Sequence, residues 1–256
     1  MDAAAVSLVL AAAAAAGWVD AVVGGGGLVL LPTLLVAAPG MPVATALGTN
    51  KLAAIAGTST AALTYARHSV VDWPVAAPAA GCALVAAGVG AGIAGSVPAS
   101  AYRPVVVAVL VAVALFLTLR PTLGVVTSEQ KRTRPRLVAA VAVAGGLIAL
   151  YDGMIGPGTG TFLILAFTGL IGVDFVRASA MAKVVNAATN LGALIVFAAG
   201  GHVWWALGVA MAVCNVIGAR LGARMAIRRG ARFVRLVLVV VVLALISRLV
   251  VDQWIY

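Results

Sequence analysis

A shift of 132 residues lays the second half of this chain over the first. Asp20 falls on Asp152, Gly24 on Gly156, Gly26 on Gly158 and Lys51 on Lys183. The same shift carries Trp73 to Trp205, Cys82 to Cys214, Gly90 to Gly222 and Arg103 to Arg235. Alanine and valine are too common here for their matches to count. The rare residues decide the matter: the chain has two cysteines and three lysines, and both cysteines and two of the lysines obey one shift. A long period carried by rare residues marks a duplicated structural unit. The fold is expected to be built twice.

The medium follows from composition. Of 256 residues, 64% are hydrophobic and 9% are charged, with a mean hydropathy of +1.16. Soluble domains are about half apolar and about a quarter charged. The chain is therefore predicted to be an all-α polytopic membrane protein, a single membrane domain over 1–256 with no soluble domain. The net charge of +10 does not describe a nucleic-acid-binding face. The basic residues gather at 120–136 and 224–235, the bias expected of short cytoplasmic loops. Cys82 and Cys214 lie in Ala/Gly/Val-rich stretches with no further ligand at metal spacing, so they read as small packing residues. No metal or cofactor is implied. The alanine-rich start has no basic region and leads into Asp20 of the repeat, so it reads as a first membrane segment rather than a cleaved signal.

A helix needs about 20 apolar residues to cross a bilayer. Residues 3–23 qualify, and Gly24 to Gly27 then break the helix before a short apolar piece, 28–38. Spans follow at 43–66, 75–96 and 101–119, which makes repeat one about 3–119. The basic linker 120–136 leads to repeat two, about 137–254. There, 137–155 meets a second break at Gly156–Gly160, a short piece runs to Ile171, and spans follow at 178–199, 203–226 and 233–251. The plan has eight membrane segments, two of them broken. If loops 120–136 and 224–235 are both cytoplasmic, the loop at 97–103, repeat partner of 224–235 with only Arg103, faces out. Equivalent loops on opposite sides make the repeats inverted, provided each broken element is a re-entrant hairpin. Inverted repeats with discontinuous helices near the midplane are a plan of secondary transporters.

The candidate site gathers at the breaks. Single glycines such as Gly88, Gly90 and Gly92 read as close helix packing. Gly24, Gly25, Gly26 and Gly27, with Gly156, Gly158, Thr159 and Gly160, read differently, because unwound backbone at membrane depth belongs where protein or a watery cavity surrounds it. A helix restarting after such a break presents unpaired N–H groups and a positive dipole end, a site for an anion. Lys51 and Lys183 are costly inside a membrane, which makes them functional candidates, with an ion pair to Asp20 or Asp152 as the plainer reading. Lys183, Asn186 and Asn190 fall on one helical stripe, and Thr45, Thr49, Asn50 and Thr58 accompany Lys51. An ammonium with amide and hydroxyl donors suits a small oxyanion. Asp20 and Asp152 read either as counter-ions to the lysines or as proton-coupling groups. Trp73, Trp204 and Trp205 read as interfacial anchors, and His68 and His202 as loop residues.

These residues carry a resemblance. VDAVVGGGGLVLLPTLL with ALGTNKL, and LYDGMIGPGTGTFLIL with AKVVNAATN, are similar to the motifs of the sulfite exporter TauE/SafE family, most closely its YfcA-like branch. The resemblance covers nearly the whole chain. It implies a multi-pass bacterial inner-membrane protein that moves small sulfur-containing anions such as sulfite or organosulfonates, with the Gly breaks, Asn50, Lys51 and Lys183 as site positions. GPGTG stands where many relatives have a run of glycines, so the two half-sites are expected to be unequal. The expected partners are a small anion and the lipid bilayer, with a homodimer as one option for assembly. A passive anion channel is the main alternative. An intramembrane aspartyl protease built on Tyr151-Asp152 is the other, weakened because no second GxGD-type motif lies downstream.

Overall fold

The computed structural model describes residues 1–68, 71–94 and 132–255, the side chains of 242 and 244–255 excepted. The expected span 101–119, loop 97–103 and most of the linker 120–136 lie outside the described residues.

Among the described residues there are eight helices and no strand. They are α1 (Ala3–Val23), α2 (Gly26–Ala37), α3 (Val43–Ala66), α4 (Trp73–Ala94), α5 (Arg134–Met154), α6 (Thr159–Ile171), α7 (Phe175–Ala199) and α8 (Trp205–Ile255). Five of them are long and apolar enough to cross a membrane: α1, α4, α5, α7 and the Trp205–Val241 part of α8. The α3 helix spans about 36 Å at 1.5 Å per residue, but its Thr, Asn and Lys residues make it less apolar. Side-chain caps set two of the starts. Asp2 Oδ1 accepts from Ala5 N at 2.8 Å, and Asp174 Oδ1 accepts from Val176 N and Arg177 N.

Three boundaries differ from the expectation. Gly26 and Gly27 already belong to α2, and Thr159 and Gly160 to α6, so each break is shorter than its glycine run. The expected loop 224–235 is helical on both sides of one non-helical residue, Gly230 (φ 75°, ψ −172°). Within α5, residues Val143–Ile148 form a π-helical turn around Gly145 and Gly146, where Gly145 packs on Ala79 and Cys82 of α4.

Small residues set the packing, as they must where lipid removes the hydrophobic drive between helices. They also fix the helix directions. Gly218 rests on Ala14 and Trp18 and Gly222 on Trp18 and Ala21, so α1 and α8 run parallel. Gly208 meets Leu52 and Gly57 meets Asn215, which makes α3 parallel to them. Gly145 meets Ala79 while Gly153 meets Ala87, so α4 and α5 are parallel. Gly192 sits on Leu84 and Gly88 beside Val196, which adds α7 to that set. The two sets oppose each other, because Gly48 touches Phe197 while Asn190 reaches Thr58.

Each short helix folds back on the helix before it. Met1 and Ala37–Pro42 line one depression, and α6 packs against the first turns of α5. The α1–α2 and α5–α6 elements are therefore helical hairpins. The molecule has a Met1 end and a Gly230 end. Arg67, Arg132, Arg134, Arg136, Arg177 and the arginines of 220–235 all lie toward the Gly230 end, by their places in these helices. Large apolar side chains such as Val85, Val89, Val213, Ile217 and Leu221 are exposed on the flanks, the surface a bilayer would cover. Trp73, Trp204 and Trp205 stand half-exposed at helix starts, as interfacial anchors do.

Candidate functional site

The two breaks meet in the middle of the bundle. Gly24 has φ 79°, and Gly156 and Gly158 have φ 88° and 89°, a left-handed backbone that glycine adopts without strain. Gly24 also lies against Gly160 so closely that a Cβ on either would collide with the other's backbone. A C-terminal helix end, an N-terminal helix end and their partners from the other half are thus brought to one point.

A helix that stops inside the bundle leaves carbonyl groups to satisfy. For α1 the donors come from three other helices. Tyr65 Oη donates to Ala21 O at 3.0 Å, Ser179 Oγ to Val22 O at 3.1 Å and Thr161 Oγ1 to Val23 O at 2.9 Å. The second break is tied mainly to itself. Tyr151 Oη donates to Pro157 O at 2.8 Å, and Thr159 Oγ1 to Gly156 O at 2.7 Å. A distant donor is Lys51, whose Nζ reaches Asp152 O at 3.0 Å.

The charges cross between the halves. Lys51 pairs with Asp152 at 2.5 Å and Lys183 pairs with Asp20 at 3.0 Å. Three of the four side chains are at most 3% exposed, and Asp20 is 15% exposed. Each lysine takes the aspartate of the other half, not the one nearest in its own. Burying four charges in this way is tolerable only because each is matched, and removing one partner of such a pair costs about 3–5 kcal/mol. Thr58 and Asn190, themselves 132 residues apart, face each other at 3.5 Å.

A small cavity of about 30 Å³ opens at this centre, lined by Asp20, Gly24, Gly27, Asn50, Lys51, Ala54, Asp152, Gly156, Gly158, Thr159, Gly160, Asn186 and Asn190. That is room for about two water molecules. Most of the residues expected at the site reach it, and four do not. Gly25 faces Val19 and Val241, and Gly26 is pressed on Ala16 and Asp20 from behind. Thr49 accepts from Trp204 N at 2.9 Å at the α7–α8 loop. Lys183 is fully buried against Asp20. The expected pair of ammonium groups at the cavity is thus reduced to one, and Lys51 has already committed two of its three N–H donors to Asp152. Asp20 and Asp152 are each bound to an ammonium rather than to one another, which is not the shared-proton dyad of an aspartyl protease.

Tyr65, Ser179 and Thr161 were not legible as site residues in the sequence. They form no motif, and they serve backbone carbonyls. The only available signal was the break itself, whose orphan carbonyls require donors from somewhere.

The two ends differ. At the Met1 end a depression of about 630 Å³ is lined by Met1, Ala37–Pro42, Thr45, Val203 and Trp204. The positions 132 residues on from 40–43 are Gly172, Val173, Asp174 and Phe175, at the Gly230 end. There Val173 and Phe175 are fully buried, whereas Val43 is 41% exposed. Arg132 and Asp72 pair at 2.6 Å at the same end.

Helical hairpins with opposed breaks, buried crossed charges and a small polar cavity at their junction define a polytopic membrane protein. The chain belongs to the sulfite exporter TauE/SafE family of membrane transporters, whose profile matches residues 9–249. It is 34% identical over 226 residues to the probable membrane transporter protein YfcA of Escherichia coli K12, covering 88% of this chain and 82% of that protein. A probable membrane transporter protein, ORF9, of a Sinorhizobium species is 36% identical over 225 residues, covering 88% and 84%. One from Haemophilus influenzae is 30% identical over 235 residues, covering 88% and 87%. No solved structure matches the chain.

Proposed function

We propose that this protein is a secondary transporter, in the exporting direction, of small sulfur-containing anions such as sulfite or organosulfonates. One observation carries the reading: two helix breaks meet at a polar cavity flanked by lysine–aspartate pairs that cross between the halves. The family's description names sulfite and export, which supports the substrate class and the direction. In this reading the anion binds between two inverted repeats, held by the N-termini of α2 and α6, Lys51 and the amides of Asn50, Asn186 and Asn190. The opposed helix sets support the inversion, and Thr58 with Asn190 marks its axis. The arginine-rich Gly230 end is cytoplasmic by the positive-inside bias, so the open depression faces out. An oxyanion is larger than the cavity, so passage requires the lining helices to part, first at one end and then at the other.

Purified protein in liposomes on a sensor surface tests this against sulfite, thiosulfate, sulfate, sulfoacetate, acetate and chloride. Saturable flux of the sulfur anions, lost in Lys51→Ala, is the expected result. Linear, unsaturable current would replace the transporter with a passive channel. Absence of both flux and anion-induced thermal stabilisation would end the reading.

A further inference from the structure

We propose that the central cavity takes a singly charged oxyanion that brings a hydrogen-bond donor of its own, and that Asn50 accepts from that donor. The inference rests on the transport reading above and narrows its substrate class. Charge sets the first half of the argument. Lys51 and Lys183 are matched by Asp152 and Asp20, so the four formal charges cancel. What is left to meet an anion is the dipole end of α2 and of α6, each equivalent to about half a charge. That balances one negative charge and falls short of two.

Hydrogen bonding sets the second half. Asn50 lies on the cavity wall and is 8% exposed, and its Oδ1 is buried with no hydrogen-bond partner among the described residues. Several polar atoms around it are engaged elsewhere. Asn186 Oδ1 accepts from Thr189 at 3.2 Å, Asn190 Nδ2 donates to Thr58 at 3.5 Å, and Thr159 Oγ1 donates to Gly156 O. A buried acceptor without a donor is costly, and a bare anion oxygen placed before it would be repelled. An occupant that presents O–H or N–H toward Asn50 removes both penalties. Hydrogen oxyanions and hydroxysulfonates have this chemistry, whereas sulfate dianion and simple alkanesulfonates do not.

Hydroxymethanesulfonate and ethanesulfonate are a matched pair of probes, equal in charge and close in size, with an O–H in one where the other has a methyl. Their affinities would be measured on the full-length protein in liposomes by competition for saturable transport. The wild type is expected to favour hydroxymethanesulfonate by at least about tenfold, since sites built to bond a hydroxyl reject analogues that lack it. Asn50→Leu should bring the ratio near one. Asn50→Asp keeps an acceptor, so it should weaken both probes yet retain the preference, and it decides the matter if Asn50→Leu does not fold. Equal wild-type affinities would overturn the inference and leave transport standing. A preference that survives Asn50→Leu, or is lost in Asn50→Asp, would overturn the role of Asn50. Failure of both probes to compete while saturable sulfite transport persists would overturn the inference alone, whereas absence of any saturable transport would sink the transport reading, and the inference with it.

Discussion

At the first helix break three hydroxyls from three different helices hold the last carbonyls of α1, whereas at the second the chain closes largely on itself. The positions 132 residues from Tyr65, Ser179 and Thr161 are Phe197, Leu47 and Val29, and none carries a hydroxyl. The α5 helix leading into the second break also contains the π-helical turn that α1 lacks. The first break is thus fixed to the bundle by tertiary bonds. The second has fewer side-chain ties to the bundle, chiefly Lys51, which holds both the side chain and the carbonyl of Asp152, and Thr161, which reaches Val23 O. Two stretches so alike in sequence differ in what anchors them, and the difference predicts that the α5–α6 hairpin opens more readily than the α1–α2 hairpin.

The sharpest way to break this comparison is at Lys51. Lys51→Ala leaves Asp152 buried without a partner and should destabilise the protein by about 3–5 kcal/mol, abolishing transport. The double variant Lys51→Ala/Asp152→Ala should recover most of that stability without transport. Thermal unfolding in detergent checks both, and an equally unstable double variant would show that the pair is not the source of the loss.

Sterics come next. Gly24→Ala and Gly160→Ala each drive a methyl into backbone across the junction and should cost roughly 2–4 kcal/mol or prevent folding. Gly92→Ala, which meets nothing within 4 Å, should change stability by less than about 1 kcal/mol. Expression and monodispersity of the three variants measure the contrast.

Single hydroxyl removals separate the two breaks more finely. Tyr65→Phe, Ser179→Ala and Thr161→Val each leave a buried carbonyl unpaired, for about 1–3 kcal/mol. Hydrogen exchange around Val23 should quicken in these variants while residues 155–158 are unaffected. Quickening at both breaks alike would mean that they move as one.

The smallest effect on stability belongs to the Gly230 end. Asp72→Asn unpairs a one-third-exposed Arg132 and should cost about 1 kcal/mol or less. It should nonetheless raise thiol labelling of a cysteine placed at Val173. Unchanged labelling would remove the Arg132–Asp72 pair from the closure of that end.

Much of this arrangement was legible in the rare residues. Lysine, aspartate and glycine clusters inside apolar runs are expensive, so their positions pointed to the centre before any contact was known. Partner choice was not legible: an intramembrane lysine needs a carboxylate, but spacing does not say that Lys51 would choose Asp152 over Asp20. The glycine runs read as whole breaks, although three of their seven glycines, Gly26, Gly27 and Gly160, are helical. Lys183 was read as facing the cavity with Asn186 and Asn190. It shares their stripe, yet a long side chain leans toward the N-terminal turn of its helix and ends at Asp20 instead. The hydroxyl braces had no pattern to read at all, because backbone carbonyls leave no mark in a sequence.

The crossed pairing has a consequence for how the protein is made. Translation delivers Asp20 and Lys51 to the membrane while Asp152 and Lys183 have yet to be synthesised. Until the later helices arrive, the newborn first half holds an acid and a base whose permanent companions do not exist. It must shelter them in the insertion machinery, near the lipid surface, or against each other in a temporary match. The crossed pairs can close only after the second half has been inserted, so the centre of the molecule is the last part of it to be completed.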